Sequence, residues 1–260
     1  MKRNLTIILA GAALLALAAC SREPLVEEPG AQVLSAEIVD DAATRTTYSS
    51  VTGAFAWEIG DEMALFQSKG SPATYKFQRV TVRAIDSGVG KCVYSKETDW
   101  SRTGYAVYPS TLVTVSSWDG STLTLSLPSS YAASESTKLP LVAVNSGNTL
   151  AFKAACGLLR IQCTGLTGTS VTVTMDKGIT GDFAVANPGS APTITAAGTT
   201  NKTVTFSLPS GATSAELNLP LPCGEYGGIT VTNGSKNKTV SAVFTVKSGY
   251  GKRMQVNFSE

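Results

Sequence analysis

From Val33 onward almost every apolar run of this chain has a period of two or is a short β-branched block, and that pattern limits the folds open to it. Ser121-Thr122-Leu123-Thr124-Leu125-Ser126-Leu127-Pro128 is the clearest stretch. Strict alternation there puts Leu123, Leu125 and Leu127 on one face of an extended strand. Comparable alternating or β-branched blocks run over 33–39, 54–57, 62–66, 75–84, 90–94, 105–108, 141–144, 149–152, 157–164 and 171–175. They continue over 181–186, 202–208, 215–221, 229–232, 240–246 and 253–258. Turn formers punctuate them: Asp119-Gly120, Ser146-Gly147-Asn148, Asn187-Pro188-Gly189 and Asn233-Gly234-Ser235. No segment keeps a 3.6-residue period over a helix's length, although Ala132 to Lys138 has room for a turn or two. About eighteen short strands exceed the seven to nine of one sandwich, so the expected architecture is all-β, with two β-sandwich domains in tandem. The junction is expected near Val144 to Thr149.

Composition narrows the chemistry. The chain has no histidine, which removes Ser-His-Asp and Cys-His nucleophile activation and the commonest metal ligand together. Enzymes can work without histidine through paired carboxylates or a Ser-Lys pair, but Asp61, Glu62, Asp99 and Asp119 each stand singly at expected turns rather than facing across a cleft. The chain therefore reads as a non-enzyme with no cofactor and no metal. Cys92, Cys156, Cys163 and Cys223 lack zinc spacing. Cys156 and Cys163 are an odd number of residues apart and would face opposite sides of a continuous strand. Most of these thiols read as small buried residues, with Cys156–Cys223 or Cys163–Cys223 open as a disulfide.

The N-terminus specifies an address. Met1-Lys2-Arg3 is basic, Leu5 to Ala19 is an uncharged apolar run, and Leu17-Ala18-Ala19-Cys20 closes it with small residues. This is the pattern of a secretory signal, and it is shorter than the roughly 18–20 apolar residues of a membrane span. A cysteine straight after Leu-Ala-Ala resembles the lipoprotein type, whose peptidase cuts before a lipidated cysteine. Cys20 is thus the expected lipidation site, and 1–19 the signal peptide. Residues 20–31, with two prolines and three glutamates, read as a tether reaching a few tens of Å at ~3.4 Å per residue. Without the signal, basic and acidic residues balance at 19 each, so nothing points to nucleic acid. The folded part divides into 32–145 and 146–260.

Motifs distributed along the chain resemble one family. Thr44-Arg45-Thr46 is followed by Trp57-Glu58-Ile59-Gly60-Asp61 and an apolar run ending at Phe66. Trp100 then precedes Tyr105-Ala106-Val107-Tyr108-Pro109. Leu139-Pro140-Leu141, Leu150-Ala151-Phe152-Lys153, Cys156-Gly157-Leu158-Leu159-Arg160-Ile161 and Leu219-Pro220-Leu221-Pro222 with Gly224-Glu225-Tyr226 complete the series. In that order, behind a lipoprotein signal, they resemble the fimbrillin-like lipoproteins, fimbrial subunits and related surface proteins of anaerobic Gram-negative bacteria. Each motif also has a plain structural use: Trp57 as a buried ring, Gly60-Asp61 as a turn, Tyr108-Pro109 as a strand end.

The resemblance implies two transthyretin-like sandwiches and a fimbrial subunit, shaft, tip or anchor, supporting cell adhesion from the outer membrane, cell surface or fimbrium. In that family a protease cuts after a basic residue, the first strand leaves, and another subunit's C-terminal strand fills the groove. Carried onto this chain, the first strand is 33–39, with Val33, Ile38 and Val39 as its apolar residues. The cut falls between Arg45 and Thr46, and Met254, Val256 and Phe258 line the donor strand. Partners would be other fimbrial subunits in a homo- or hetero-polymer, the outer membrane through acyl chains on Cys20, and a host protein or glycan. The alternative is a non-polymerising glycan-binding surface lipoprotein using Trp100, Trp118, Tyr94 and Tyr131 as a stacking platform. Trp118, beside the Asp119-Gly120 turn, is the ring expected to be exposed.

Overall fold

A computed structural model describes residues 31–39, 56–69, 74–95, 104–133, 138–144 and 147–259. It is all-β among those residues, apart from two 3-10 turns at Ser110–Leu112 and Val115–Ser117. Nine strands precede residue 155: β1 (Ala31–Ile38), β2 (Glu62–Lys69), β3 (Thr74–Asp86), β4 (Val89–Ser95), β5 (Tyr105–Tyr108), β6 (Leu123–Leu127), β7 (Ser130–Ala132), β8 (Leu141–Val144) and β9 (Thr149–Ala154). The rest are β10 (Gly157–Thr164), β11 (Ser170–Met175), β12 (Thr180–Ala186), β13 (Thr193–Asn201), β14 (Thr203–Ser207), β15 (Ser214–Leu221), β16 (Gly224–Tyr226), β17 (Ile229–Asn233), β18 (Lys236–Val240), β19 (Phe244–Val246) and β20 (Gly251–Asn257).

Seven of the first nine strands close into a barrel in the order β1-β4-β3-β2-β5-β8-β9, where two open sheets facing each other were expected. The long β3 makes one corner: residues 74–81 pair with β2 and 82–86 with β4, with a register shift between Val82 and Ala84. Such an irregularity bends a strand and lets it serve two sheets. The opposite corner is β1, antiparallel to β4 and parallel to β9. β9, which follows the expected junction near 144–149, belongs to this barrel, and β10 begins the next sheet at Gly157.

β6 and β7 leave the barrel altogether. β6 pairs with β12, and β7 runs parallel to β14, so the two halves are interleaved rather than strictly tandem. The leucine face of β6 explains the crossing. Leu123, Leu125 and Leu127 join Phe183 and Ile194 of the β12–β13 hairpin over the barrel core. A second core gathers under the sheets β15-β10-β20 and β18-β17-β11-β14-β7. β10 divides the two. Cys156 and Leu158 lie in the first core, and Leu159, Ile161 and Cys163 in the second, which bears out the opposed facing of the two cysteines. Its one buried charge, Arg160, is held by Glu216 at 2.6 Å.

Candidate functional site: the first strand and its seat

Three of the sequence motifs converge on one point beneath β1. Gly60 takes a φ of +98°, a left-handed conformation that favours glycine, and so turns Asp61 inward. The Asp61 carboxylate is 3 % exposed. It accepts from the Tyr108 hydroxyl at 2.7 Å, from Lys138 Nζ at 2.7 Å and from the Glu58 backbone N–H at 2.9 Å. Burial, and then the bond to Asp61, pushes the Tyr108 phenol far up, so it stays a proton donor. Trp57-x-x-Gly60-Asp61 and Tyr105-x-x-Tyr108 thus meet at one buried carboxylate, a polar clamp with half-exposed Lys138, the residue before Leu139-Pro140-Leu141, as a third partner. Beside it Glu62 accepts from the Ser110 hydroxyl.

Trp57 lies on the barrel side of this clamp, 3 % exposed, edge-on to Tyr108 at 5.0 Å and Phe152 at 5.2 Å. Its ring lies against Gly90 of β4, which pairs across to Ala36 of β1. A Cβ on Gly90 would stand 3.1 Å from Trp57 Cγ and 3.2 Å from Val82 Cγ2. The inward face of β1 is thus Leu34 opposite Cys92, Ala36 opposite Gly90, and Ile38 beside Phe152. Leu34 and Ala36 are fully buried, and Ile38 packs on the core from the strand's end. Of the residues expected to carry this strand, only Ile38 faces in. Val33 and Val39 are half-buried, and Leu34 and Ala36 take the inner positions because the pleat admits one parity.

The C-terminal strand has its own seat. β20 runs parallel to β10 at the edge of a three-stranded sheet, with Ile161 opposite Met254 and Cys163 opposite Val256. Met254, Val256 and Phe258 share one face as expected: Val256 and Phe258 are in the second core and Met254 packs against it. Cys20, Arg45 and Thr46 lie outside the described residues. The Arg45–Thr46 bond stands in sequence between β1 and Trp57, so a cut there severs β1 from the rest of the barrel.

One expectation is corrected, and one left open is narrowed. Trp118 is 7 % exposed and is enclosed by Tyr75, Tyr105 and Phe66, at 4.8, 5.6 and 6.1 Å between ring centroids. The turn beside it is exposed, but the ring folds back into the barrel's end. Of the other rings named for a stacking platform, Tyr94 is buried, Tyr131 stacks on Phe206, and Trp100 lies outside the described residues. The four cysteines are free. Cys163 pairs with Ala215 while Cys223 follows Leu221 at the other end of β15, about 20 Å away at ~3.3 Å per residue. Cys156 and Cys223 are neighbours with no disulfide between them. Burial raises both, Cys156 most, and the Gly157 amide partly offsets the rise at Cys223. Among the described residues no group of three or more Cys, Asp or Glu side chains converges as a metal site.

No protein-family model matches this sequence, and no curated protein sequence does. Solved structures do. A "putative cell adhesion protein" from Bacteroides uniformis is similar with a TM-score of 0.50 and 15% identity, over 90% of this chain and 94% of its own. One of the same description from Bacteroides ovatus gives 0.48 at 15% identity, over 87% and 92%. A fimbrial protein from Bacteroides ovatus gives 0.37 at 13% identity, over 86% and 50%. The first likeness establishes a shared fold along nearly the whole chain. That supports the fimbrillin-like resemblance at the level of the fold.

Proposed function

We propose that this protein is a cell-surface adhesion or fimbrial subunit, exported as a lipoprotein through Cys20 and assembled by exchange of its first strand. The observation that carries the reading is β1 itself. It is the first described strand, it closes the barrel between β4 and β9, and the sequence joins it to the remainder through a segment containing Arg45. Cutting Arg45–Thr46 would free it, and its loss would strip the edges of β4 and β9 and open the seat of Leu34, Ala36 and Ile38. An extended strand from another subunit repairs both defects, because it supplies backbone hydrogen bonds to the edges and apolar side chains to the groove. Shape adds support: a Bacteroides uniformis protein described as a putative cell adhesion protein has a similar fold along nearly the whole chain.

β20 is the donor in this reading. Val256 and Phe258 contribute about 1.5–3 kcal/mol each from burial in their own core, so donation requires an acceptor groove that offsets that loss. The acyl chains on Cys20 hold the subunit at the outer membrane until the cut, and the partners are other fimbrial subunits. Mass spectrometry of material sheared from the cell surface tests the reading. Assembled protein should begin at Thr46, and replacing Arg45 should block assembly. Assembled material that begins only at lipidated Cys20 refutes it.

A further inference from the structure

The groove beneath β1 has a size limit at its centre. Ala36 is wholly buried, and its partner across the pair, Gly90, has Trp57 Cγ and Cδ1 at 3.1 and 3.3 Å from where a Cβ would stand. Directly opposed residues of an antiparallel pair share a face, so the Trp57 ring occupies the volume that larger residues at 36 and 90 would need. Trp57 is itself 3 % exposed and edge-on to Tyr108 and Phe152, so moving it means displacing those rings. On either side the seat takes large residues, Leu34 and Ile38. Overfilling a packed interior is penalised as surely as leaving it empty.

Resting on the strand-exchange reading, we infer that the groove accepts a strand of the pattern large–small–large, and that this chain's own C-terminal strand is not its occupant. The apolar face of β20 offers Met254, Val256 and Phe258 at alternate positions. In any register and either direction that keeps this face inward, the central position receives Met254, Val256, Phe258 or Lys252. None is as small as alanine. The opposite parity would bring Arg253, Gln255 and Asn257 inward. The partner is therefore a different chain, bearing Ala, Gly or Ser at the middle inward position with bulky aliphatic residues two places away on each side. This subunit donates β20 to a groove unlike its own, and its place is in a hetero-polymer.

The test uses the full mature chain with a specific protease site replacing Thr44-Arg45-Thr46, cut and mixed with labelled peptides, with displacement of β1 read by native mass spectrometry. A peptide of residues 31–39 should exchange in. The same peptide with Ala36→Val should bind about ten- to a hundredfold more weakly, the range typical of overpacking. A peptide of residues 250–260 should be as weak, and its Val256→Ala version should recover most of the loss. Equal binding by the 31–39 and 250–260 peptides, or no gain from Val256→Ala, overturns the inference and leaves strand exchange standing. Failure of the 31–39 peptide itself to enter overturns the strand-exchange reading, and the inference with it.

Discussion

Replacing Asp61 with alanine tests the claim that the Trp57–Asp61 motif is a clamp under the first strand. The substitution leaves the buried Tyr108 hydroxyl without its acceptor at 2.7 Å, a loss of about 1–3 kcal/mol for an unsatisfied buried donor. It also removes the bond from the Glu58 N–H at 2.9 Å, worth about 0.5–1.5 kcal/mol net. The Lys138 pair adds little. That side chain is 45% exposed, and a half-solvated ion pair contributes roughly 0–1 kcal/mol. The expected cost of Asp61→Ala is thus about 2–4 kcal/mol, against about 1 for Tyr108→Phe and under about 1 for Lys138→Ala, where water reaches the vacated oxygen. Urea unfolding followed by tryptophan emission measures all three, with Trp57 beside the clamp as reporter. A Lys138→Ala loss equal to or above that of Asp61→Ala would refute the reasoning. The charge pair, not the tyrosine–carboxylate bond, would then hold the motif together.

Other expectations follow from the same geometry. Asn233 is 1 % exposed, accepts from the Thr167 and Gly168 amides and donates to the Ser170 carbonyl. Asn233→Ala should therefore cost about 2–4 kcal/mol and speed hydrogen exchange at Thr167 and Gly168. Burial pushes the Cys92 and Cys163 thiols up to about 12, so at pH 8 the folded protein should resist iodoacetamide at both, with half-exposed Cys223 alkylated first; rapid labelling of Cys92 or Cys163 in native protein would contradict their burial. The Asp119 carboxylate accepts from the Thr122 amide and from the Ser121 amide and hydroxyl, which lowers its pKa to about 2. A lowered folded value stabilises the turn above the ordinary carboxylate range and loses that contribution as pH falls through it toward 2. An NMR titration of Asp119 should find its midpoint near that value, and a midpoint close to 4 would deny the turn geometry.

The alternation that makes strands was legible throughout, because side-chain parity is a local property. Tyr105–Tyr108, Leu141–Val144 and Gly157–Thr164 fall where the sequence pattern puts them, and Leu123, Leu125 and Leu127 are buried together as their spacing requires. Where alternation is absent the strand was missed. β13 reads Thr-Ile-Thr-Ala-Ala-Gly-Thr-Thr-Asn and is mostly exposed, and it is extended because β12 lies beside it. Ser130–Ala132 was not among the expected strands and is one for the same reason, through pairing with β14.

What parity cannot encode is the partner. The alternating leucines of β6 demand a cover, yet nothing local says that Phe183 and Ile194, some sixty residues on, supply it, or that the two halves thereby interleave. The candidate site divides along the same line. The sequence by itself determined the all-β class, the turns at Gly60 and Gly120, the shared face of Met254, Val256 and Phe258, and the motifs that converge on Asp61. Only the tertiary structure decided that Trp118 turns inward, that Leu34 and Ala36 rather than Val33 face the core, and that the Trp57 ring lies against Gly90, across from Ala36. Those are long-range packing facts. Volume in a close-packed interior is shared among residues from distant strands, and no one of them carries the constraint alone.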